Sequence, residues 1–299
     1  MYPQSSLPRI VTPVVSTIPP WSGLQSRIVH DFPVDTVTSE YFERYTRQEF
    51  SNFVTLYTDG SKTLDPQVSV AAAFYYPTWD VGVSWLLHPE HSVLSAELFG
   101  LLKCLEFVEQ LNTSRCVIFT DSLTSLQLLG SNSKTYINTV DKIKERILSA
   151  NSERTVLLHW VKAHVGIHGN ERADRAANLG HKNVKSTLFP LQCEEILCTL
   201  RRNFFSNWQR YWRESCRTQR KGLFLHSIRE TITKESVIDT GSRKLDCVLY
   251  RLRLGRVPLN DYLFRIRKSE TDQCSHCGAL ENLEHYILEC DWYSGERYP

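Results

Sequence analysis

The sequence predicts an α/β fold in which a five-stranded mixed sheet is flanked by helices. Two observations predict it: strand-like runs dominate residues 53–87, and helical and strand-like patterns alternate from residue 94 onward. The composition is 41% hydrophobic and 23% charged, which excludes a wholly disordered chain. No apolar run reaches the ~18 residues of a transmembrane helix, so no membrane partner is expected.

The predicted elements follow the order βββαβααβα. Runs rich in β-branched and aromatic residues predict strands at residues 53–58, 69–76, 81–87, 116–120 and 155–161. Apolar residues at helical spacing predict helices at residues 94–111, 122–129, 136–150 and 171–179. Asp59-Gly60-Ser61 predicts a turn directly after the first strand.

Composition and charge divide the 299-residue chain into four segments. Residues 1–50 form a Pro-containing connector, exemplified by Pro19-Pro20-Trp21, and residues 51–184 form the α/β domain. Residues 185–268 form a basic, mainly helical segment with a net charge of +10, and residues 269–299 form a Cys/His tail of −6. The basic segment indicates a polyanionic partner, although its arginines suit a solvated helix face equally well.

Cysteine usage and the first residues indicate an intracellular protein, nuclear or cytoplasmic. The nine cysteines are odd in number and scattered, which does not suit a disulfide framework. The N-terminal residues lack a basic segment followed by an apolar core, so we expect no secretory signal.

Four carboxylates are candidates for a metal site. Asp59 and Asp121 each follow an apolar strand, and they lie side by side if those strands are neighbours. Glu97 lies on a largely apolar helix face, and Asp174 lies on a helix of small residues. Crowded carboxylates repel one another unless cations compensate them, and oxygen ligands suit Mg²⁺ or Mn²⁺. Taken singly, each acid also fits a cap or a surface position.

The words around these acids resemble the type 1 ribonuclease H family over residues 51–182. They are Tyr57-Thr58-Asp59-Gly60-Ser61, Ser95-Ala96-Glu97-Leu98, Phe119-Thr120-Asp121-Ser122, and the stretch of residues 160–174, which contains His164-Val165-Gly166-Ile167-His168-Gly169-Asn170-Glu171. The resemblance implies a ribonuclease H-like fold and a two-metal-ion endonuclease that cuts the RNA strand of RNA–DNA hybrids.

The resemblance also implies roles for particular residues. It carries metal binding onto Asp59, Glu97, Asp121 and Asp174, with two Mg²⁺ or Mn²⁺ ions, and it carries a mobile catalytic histidine onto His164. His168 is the weaker candidate for that histidine. Ser61 and Ser122 are candidate contacts to the substrate backbone. The chain departs from bacterial members at residues 92–95, at Leu123 and between residues 130 and 134, so hybrid contacts within the domain are expected to be fewer.

The tail contains the pattern C-x2-C-x7-H-x4-C, formed by Cys274, Cys277, His285 and Cys290. Four such ligands complete a closed, structural Zn²⁺ site. Three buried cysteines with a surface histidine is the alternative, and His276 is a substitute ligand.

The whole chain is similar, loosely outside residues 51–182, to the C-terminal end of non-LTR retrotransposon polyproteins of the jockey kind. No Tyr-x-Asp-Asp polymerase signature occurs, so we expect a fragment or a free-standing descendant. The main hypothesis is a retrotransposon-derived ribonuclease H, and the alternative is a catalytically inactive nucleic-acid-binding remnant. An integrase-like nuclease is a third hypothesis, disfavoured by the Gly-x-x-Gly-Asn-Glu-Arg-Ala-Asp stretch.

Overall fold

The computed structural model describes residues 18, 24–29, 38–111, 113–149, 154–220, 222–232 and 239–297. The chain divides into two compact units, Met1–Leu200 and Arg201–Pro299. The predicted connector at Pro19-Pro20-Trp21 lies outside the described residues. Among the described residues, none of the helices combines the length and apolar character that a bilayer crossing requires.

The first unit contains a mixed six-stranded sheet flanked by helices. Its strands are β1 (Ile28–Val29), β2 (Val54–Thr63), β3 (Ser69–Tyr76), β4 (Val81–Leu87), β5 (Arg115–Thr120) and β6 (Thr155–Trp160). Their order is β1-β6-β5-β2-β3-β4. The pairs β2–β5, β5–β6 and β1–β6 are parallel, and the pairs β2–β3 and β3–β4 are antiparallel. The predicted α/β class and mixed sheet are confirmed, with one additional short strand.

Of the helices that begin in the first unit, the second to the fifth lie close to their predicted positions, the first was not predicted, and the sixth lies in the segment predicted to be mainly helical. They are α1 (Ser39–Glu49), α2 (Val93–Gln110), α3 (Leu123–Gly130), α4 (Ile137–Ser149), α5 (His168–Gly180) and α6 (Cys193–Gln219). Alternate side chains of β3 contact different helices: Ala72 packs with Phe99 of α2, whereas Ala73 packs with Ala177 of α5. Because side chains alternate across a strand, α2 and α5 cover opposite faces of the sheet.

The first strand runs beyond its predicted end. Asp59-Gly60-Ser61 was expected to form a turn, but these residues continue β2 and pair with residues 71–73 of β3. The prediction was wrong because the antiparallel ladder with β3 continues after the parallel partner β5 has ended at Thr120. Gly60 is required for close packing and not for a turn. A Cβ at this position would lie 2.6 Å from the backbone nitrogen of Glu97, so α2 could not approach β2 as closely.

Residues 28–29 and 39–49, where the sequence showed no helical or strand period, contribute to the sheet unit. β1 adds an edge strand beside β6, and α1 buries Phe42 against Phe119 with ring centroids 5.1 Å apart. The hydroxyl of Tyr45 lies 3.0 Å from Nε2 of His159 in β6. The hydrophobic core of the sheet therefore extends into residues that precede the predicted domain.

The second unit is helical and ends in the Cys/His tail. Besides the C-terminal part of α6 it contains α7 (Leu223–Ile228), α8 (Arg243–Leu254), α9 (Asn260–Arg265) and α10 (Ser294–Arg297). Glu281 of the tail accepts hydrogen bonds from the backbone N–H groups of Asn260, through Oε2 at 2.8 Å, and Asp261, through its carbonyl oxygen at 3.2 Å. The tail is thus hydrogen-bonded to the start of α9.

Candidate functional site

Strand register places two acids next to each other in the centre of the sheet. Thr58 of β2 is the partner of Thr120 of β5, and each threonine is followed by an aspartate, Asp59 and Asp121. Parallel neighbouring strands bring equivalent residues to the same edge. The sequence prediction that these two aspartates are neighbours therefore agrees with the structure.

A third acid reaches the same place from α2. Ser92 caps the helix by accepting a hydrogen bond from the backbone N–H of Ser95, and Glu97 lies in the second turn. One carboxylate oxygen from each of Asp59, Glu97 and Asp121 lies within 4.8 Å of the others. The three side chains come from separate elements, so only the folded chain brings them together.

The three acids are costly to ionise without a cation. Burial, with the charges of Asp121 and Asp174, raises the pKa of Asp59 to about 7. Burial, with the charge of Asp59, raises the pKa of Glu97 well above its ordinary value. Oε2 of Glu97 is buried and has no hydrogen-bond partner among the residues that the structure describes. An unpartnered carboxylate oxygen within a cluster of acids fits a divalent cation, which would supply both the missing ligand contact and the compensating charge.

Asp121 is positioned by two neighbours. Asn170 of α5 donates a hydrogen bond from Nδ2 to Oδ2 of Asp121 at 3.0 Å, and Trp160 Nε1 donates to the Asp121 carbonyl oxygen at 3.1 Å. Burial raises the pKa of Asp121, while the Asn170 hydrogen bond and the charge of His164 oppose that rise. Sequence reasoning did not single out Asn170, although it lies in the stretch that carried the family resemblance.

Asp174 lies near the cluster but outside the group of three. It is on α5, which covers the sheet face that carries Asp59, and its charge contributes to the raised pKa of Asp59. Its Oδ1 accepts a hydrogen bond from Nδ2 of Asn178 at 2.9 Å. Asn178 in turn accepts a hydrogen bond from Ser61, at 3.2 Å, so this fourth acid is held at the margin of the site.

The two candidate histidines differ in their surroundings. His164 is exposed, has a positive φ of 56° and acts electrostatically on Asp121. His168 is also exposed, but its charge acts on Asp80 and its ring contacts Tyr75. Of the two, His164 is the one whose electrostatic influence reaches the acid cluster.

The two candidate substrate-contacting serines make hydrogen bonds within the protein. Ser61 Oγ lies 3.0 Å from Nε2 of His181, and the other ring nitrogen of His181 lies 2.8 Å from Ser69 Oγ. Ser122 Oγ lies 2.8 Å from Ser125 Oγ at the start of α3. Neither serine belongs to the cluster of three acids.

The four predicted tail ligands form a second cluster. One ligand atom from each of Cys274, Cys277, His285 and Cys290 lies within 4.8 Å of the others. The Sγ atoms of Cys274 and Cys290 are 3.9 Å apart, close to the ~3.8 Å between two thiolates of a tetrahedral Zn²⁺ site with 2.3 Å bonds. Backbone N–H groups of His276 and Cys277 lower the pKa of the Cys274 thiol to about 7, which favours the thiolate. This Cys₃His group could hold Zn²⁺.

His276 does not act as the substitute ligand in this arrangement. Its ring stacks on Trp292, with centroids 4.2 Å apart and planes at 8°. The histidine within the cluster is His285, whose Nε2 lies 3.2 Å from the sulfur of Cys277.

Comparison with protein families bears on the domain that contains the first site. Residues 51–182 match the family model of RNase H. The match covers less than half of the 299 residues and contains the three clustered acids, Asp174 and His164. It supports an RNase H family for this domain. A search of curated proteins gave no match.

The residues that match RNase H contain five strands of the mixed sheet and the three clustered acids. RNase H domains in general are nucleases that act on RNA–DNA hybrids with divalent metal ions, and the three acids could bind such ions. Neither the tail nor the basic segment falls within the matched residues.

Proposed function

We propose that this protein is an endonuclease that hydrolyses the RNA strand of RNA–DNA hybrids with two Mg²⁺ or Mn²⁺ ions, and that it derives from a retrotransposon. The observation that carries the proposal is the cluster of Asp59, Glu97 and Asp121 within a matched RNase H domain. A catalytically inactive remnant is the alternative, but three adjacent acids without a metal relieve their repulsion only by binding protons, and a divalent cation relieves it with all three ionised.

Each residue of the site has a separate task in this mechanism. Asp59, Glu97 and Asp121 would hold the ions, and Asp174 would assist from the margin of the site. Bound there, the ions would activate water and stabilise charge on the phosphodiester. Asn170 orients the Asp121 carboxylate through its hydrogen bond. His164 is the proton-transfer residue, since an exposed imidazole on a loop with a glycine two residues later can reach the reacting groups.

The tail and the cellular location complete the proposal. We assign a structural Zn²⁺ to Cys274, Cys277, His285 and Cys290, because four protein ligands leave no open position for a substrate. An intracellular location, nuclear or cytoplasmic, accords with the nine cysteines, none of which forms a disulfide.

The deciding experiment is cleavage of an end-labelled RNA–DNA hybrid by the full-length protein. We expect cuts in the RNA strand with Mg²⁺ and none without added divalent metal. Asp121→Asn, which keeps the size of the side chain and removes a ligand charge, should lower the cleavage rate by orders of magnitude while the protein stays folded. Folded wild-type protein that fails to cut with either Mg²⁺ or Mn²⁺, yet still binds hybrid, would establish the inactive remnant instead.

A further inference from the structure

A groove with a volume of about 850 Å³ runs along α6 in the C-terminal unit. Three arginines line it, Arg210, Arg213 and Arg217, and all three are exposed. Their spacing of three and then four residues places them on one face of the helix. The groove lies outside the residues that match RNase H.

The opposite wall of the groove is held in place by the protein itself. Gln209 donates a hydrogen bond from Nε2 to the carbonyl oxygen of Glu230 at 2.9 Å, and its Oε1 accepts one from the backbone N–H of Ile232 at 2.6 Å. Ile232, which does not belong to α6, also lines the groove. These bonds do not involve the arginines, so the groove is formed before any ligand arrives.

The charge of the lining is positive. Among the described residues that line it, three carry a guanidinium group and one, Glu214, carries a carboxylate. Arg210 donates a hydrogen bond to the side-chain oxygen of Asn207 at 3.0 Å, which leaves its charge uncompensated. Within the part of the chain that the structure describes, neither Arg213 nor Arg217 forms an ion pair. Uncompensated arginines on a preformed surface favour an anionic ligand.

The spacing of the arginines suits a chain of phosphates. At 1.5 Å per residue, Arg210 and Arg217 are about 10.5 Å apart along the helix axis. Phosphates in one strand of a DNA duplex advance by about 3.4 Å along the duplex axis, so a row of this length spans about three phosphate-to-phosphate steps. Each guanidinium group can bind a phosphate through two parallel N–H groups. One arginine is therefore enough for a single small anion, whereas a row of three suits a ligand with several phosphates.

We propose that this groove binds the phosphate backbone of the nucleic acid that the RNase H domain cleaves. The proposal rests on the proposed function for its ligand, an RNA–DNA hybrid. It gives the basic segment a specific binding surface, and it accounts for a catalytic domain whose own net charge over residues 51–184 is −1. An acidic protein surface is the competing occupant, and the test separates the two.

The test measures binding of a fluorescent hybrid by anisotropy across a range of salt concentrations. All proteins are full length and carry Asp121→Asn, and no divalent metal is added, so the hybrid stays intact and the tail is not exposed to a chelator. One variant replaces Arg210, Arg213 and Arg217 with Gln. Its matched control replaces three exposed basic residues of α8, Arg243, Lys244 and Arg253, with Gln.

We expect the groove variant to bind more weakly and the slope of log affinity against log salt to become shallower by about three, since each lost phosphate contact removes about one. The control should keep the parental slope within about one. Glu214→Gln should have the opposite effect and tighten binding, because it removes the one carboxylate among the described residues of the lining. Equal slopes for the groove variant and the control, together with no gain from Glu214→Gln, would overturn the proposal and favour a protein partner.

Cleavage by the wild-type protein is scored separately. A hybrid that binds through the groove but is never cut contradicts the proposed function and supports the proposal that the groove binds nucleic acid. A hybrid that is cut, although its binding does not depend on the groove arginines, supports the proposed function and contradicts the groove proposal.

Discussion

The imidazole ring of His91 lies between two hydrogen-bond acceptors. Its Nδ1 is 3.0 Å from Oε2 of Glu195, and its Nε2 is 3.1 Å from the carbonyl oxygen of Phe189. Oε1 of Glu195 also accepts a hydrogen bond of 2.6 Å from the backbone N–H of Ser92, the residue that caps α2. Residues beyond the RNase H match therefore hold the start of the helix that carries Glu97.

Glu195 is ionised in this buried position. Burial acts to raise its pKa, but the hydrogen bond and charge of His91 outweigh burial and lower the pKa below its ordinary value. We expect Glu195→Ala to reduce the free energy of unfolding by about 3–5 kcal/mol in urea denaturation, because it leaves a buried partner uncompensated.

A double-mutant cycle is the control for this prediction. His91→Leu with Glu195→Leu should lose less stability than the sum of the two single variants, since replacing both partners leaves no orphaned group. Additive losses would show that His91 and Glu195 do not depend on each other.

Phe42 belongs to the core of the RNase H unit although it precedes the matched residues. It is 2% exposed, whereas the adjacent Tyr41 is 42% exposed. Phe42→Ala should cost about 3–5 kcal/mol of unfolding free energy, and Tyr41→Ala should change it by no more than about 0.5 kcal/mol. Equal, small effects in thermal or chemical denaturation would place α1 outside the folded core.

The stability of the metal-free protein should fall as pH rises from about 4 to about 7. The pKa of Asp59 is about 7 in the folded chain against an ordinary value of 3.8. In that interval the unfolded chain releases the proton while the folded chain retains it, so rising pH favours unfolding; above pH 7 the effect is constant.

Asp59→Asn should flatten this pH dependence, and Asp65→Asn, at an exposed position, should leave it as it is. Mg²⁺ should also restore stability above pH 7, because the ion compensates the ionised carboxylates. Denaturation curves at fixed ionic strength measure each effect. A wild-type curve without the decline would contradict the clustered arrangement of the acids.

His164 should govern turnover without holding metal. We expect His164→Gly to slow cleavage by about 10²–10⁴-fold, the usual contribution of a general acid or base. Glycine is the suitable replacement because the backbone φ of His164 is +56°, where alanine would add strain. His168→Ala is the matched control and should cut at close to the wild-type rate. If His164→Gly cleaves as fast as His168→Ala and the wild-type protein across pH 6–9, His164 has no part in the mechanism.

The tail should contain one zinc per chain in protein purified without chelator. Cys290→Ser should lose the metal, because it removes one of four ligands that lie within 4.8 Å of one another. Cys247→Ser, at an exposed cysteine outside the cluster, should retain it. Elemental analysis measures the metal, and absence of zinc from the wild-type protein would contradict the site.

Both clusters of candidate ligands were predictable because their residues lie in short, characteristic words. Asp59 and Asp121 could be expected to meet, since each follows a threonine at the end of an apolar run, and the Cys274–Cys277 spacing is that of a metal-binding turn. Asn170 was missed because an asparagine in a helix carries no signal of the carboxylate that it orients. Its partner Asp121 is 49 residues away in sequence.

The limits of the folded unit depended on contacts that no local pattern reveals. Residues 39–49 showed no clear period, yet α1 forms there because Phe42 and Phe50 pack on Phe119, far along the chain. At the other end, the sequence placed a boundary after residue 184, whereas the compact unit continues to Leu200. His91 and Glu195, which are 104 residues apart, link this extension to the sheet domain.

The sequence by itself determined the α/β class, the order of the elements from residue 54 onward and which acids and which tail residues are candidate ligands, because periodicity and short motifs are local properties. Three features were decided only by the tertiary structure. They are the course of β2 through Asp59-Gly60-Ser61, the burial of Glu97 Oε2 without a hydrogen-bond partner among the described residues, and the groove beside Arg213. Each of these depends on which distant backbone comes to lie alongside: β3 extends the ladder, α2 approaches over a residue without a Cβ, and residues 230–232 close the groove against α6.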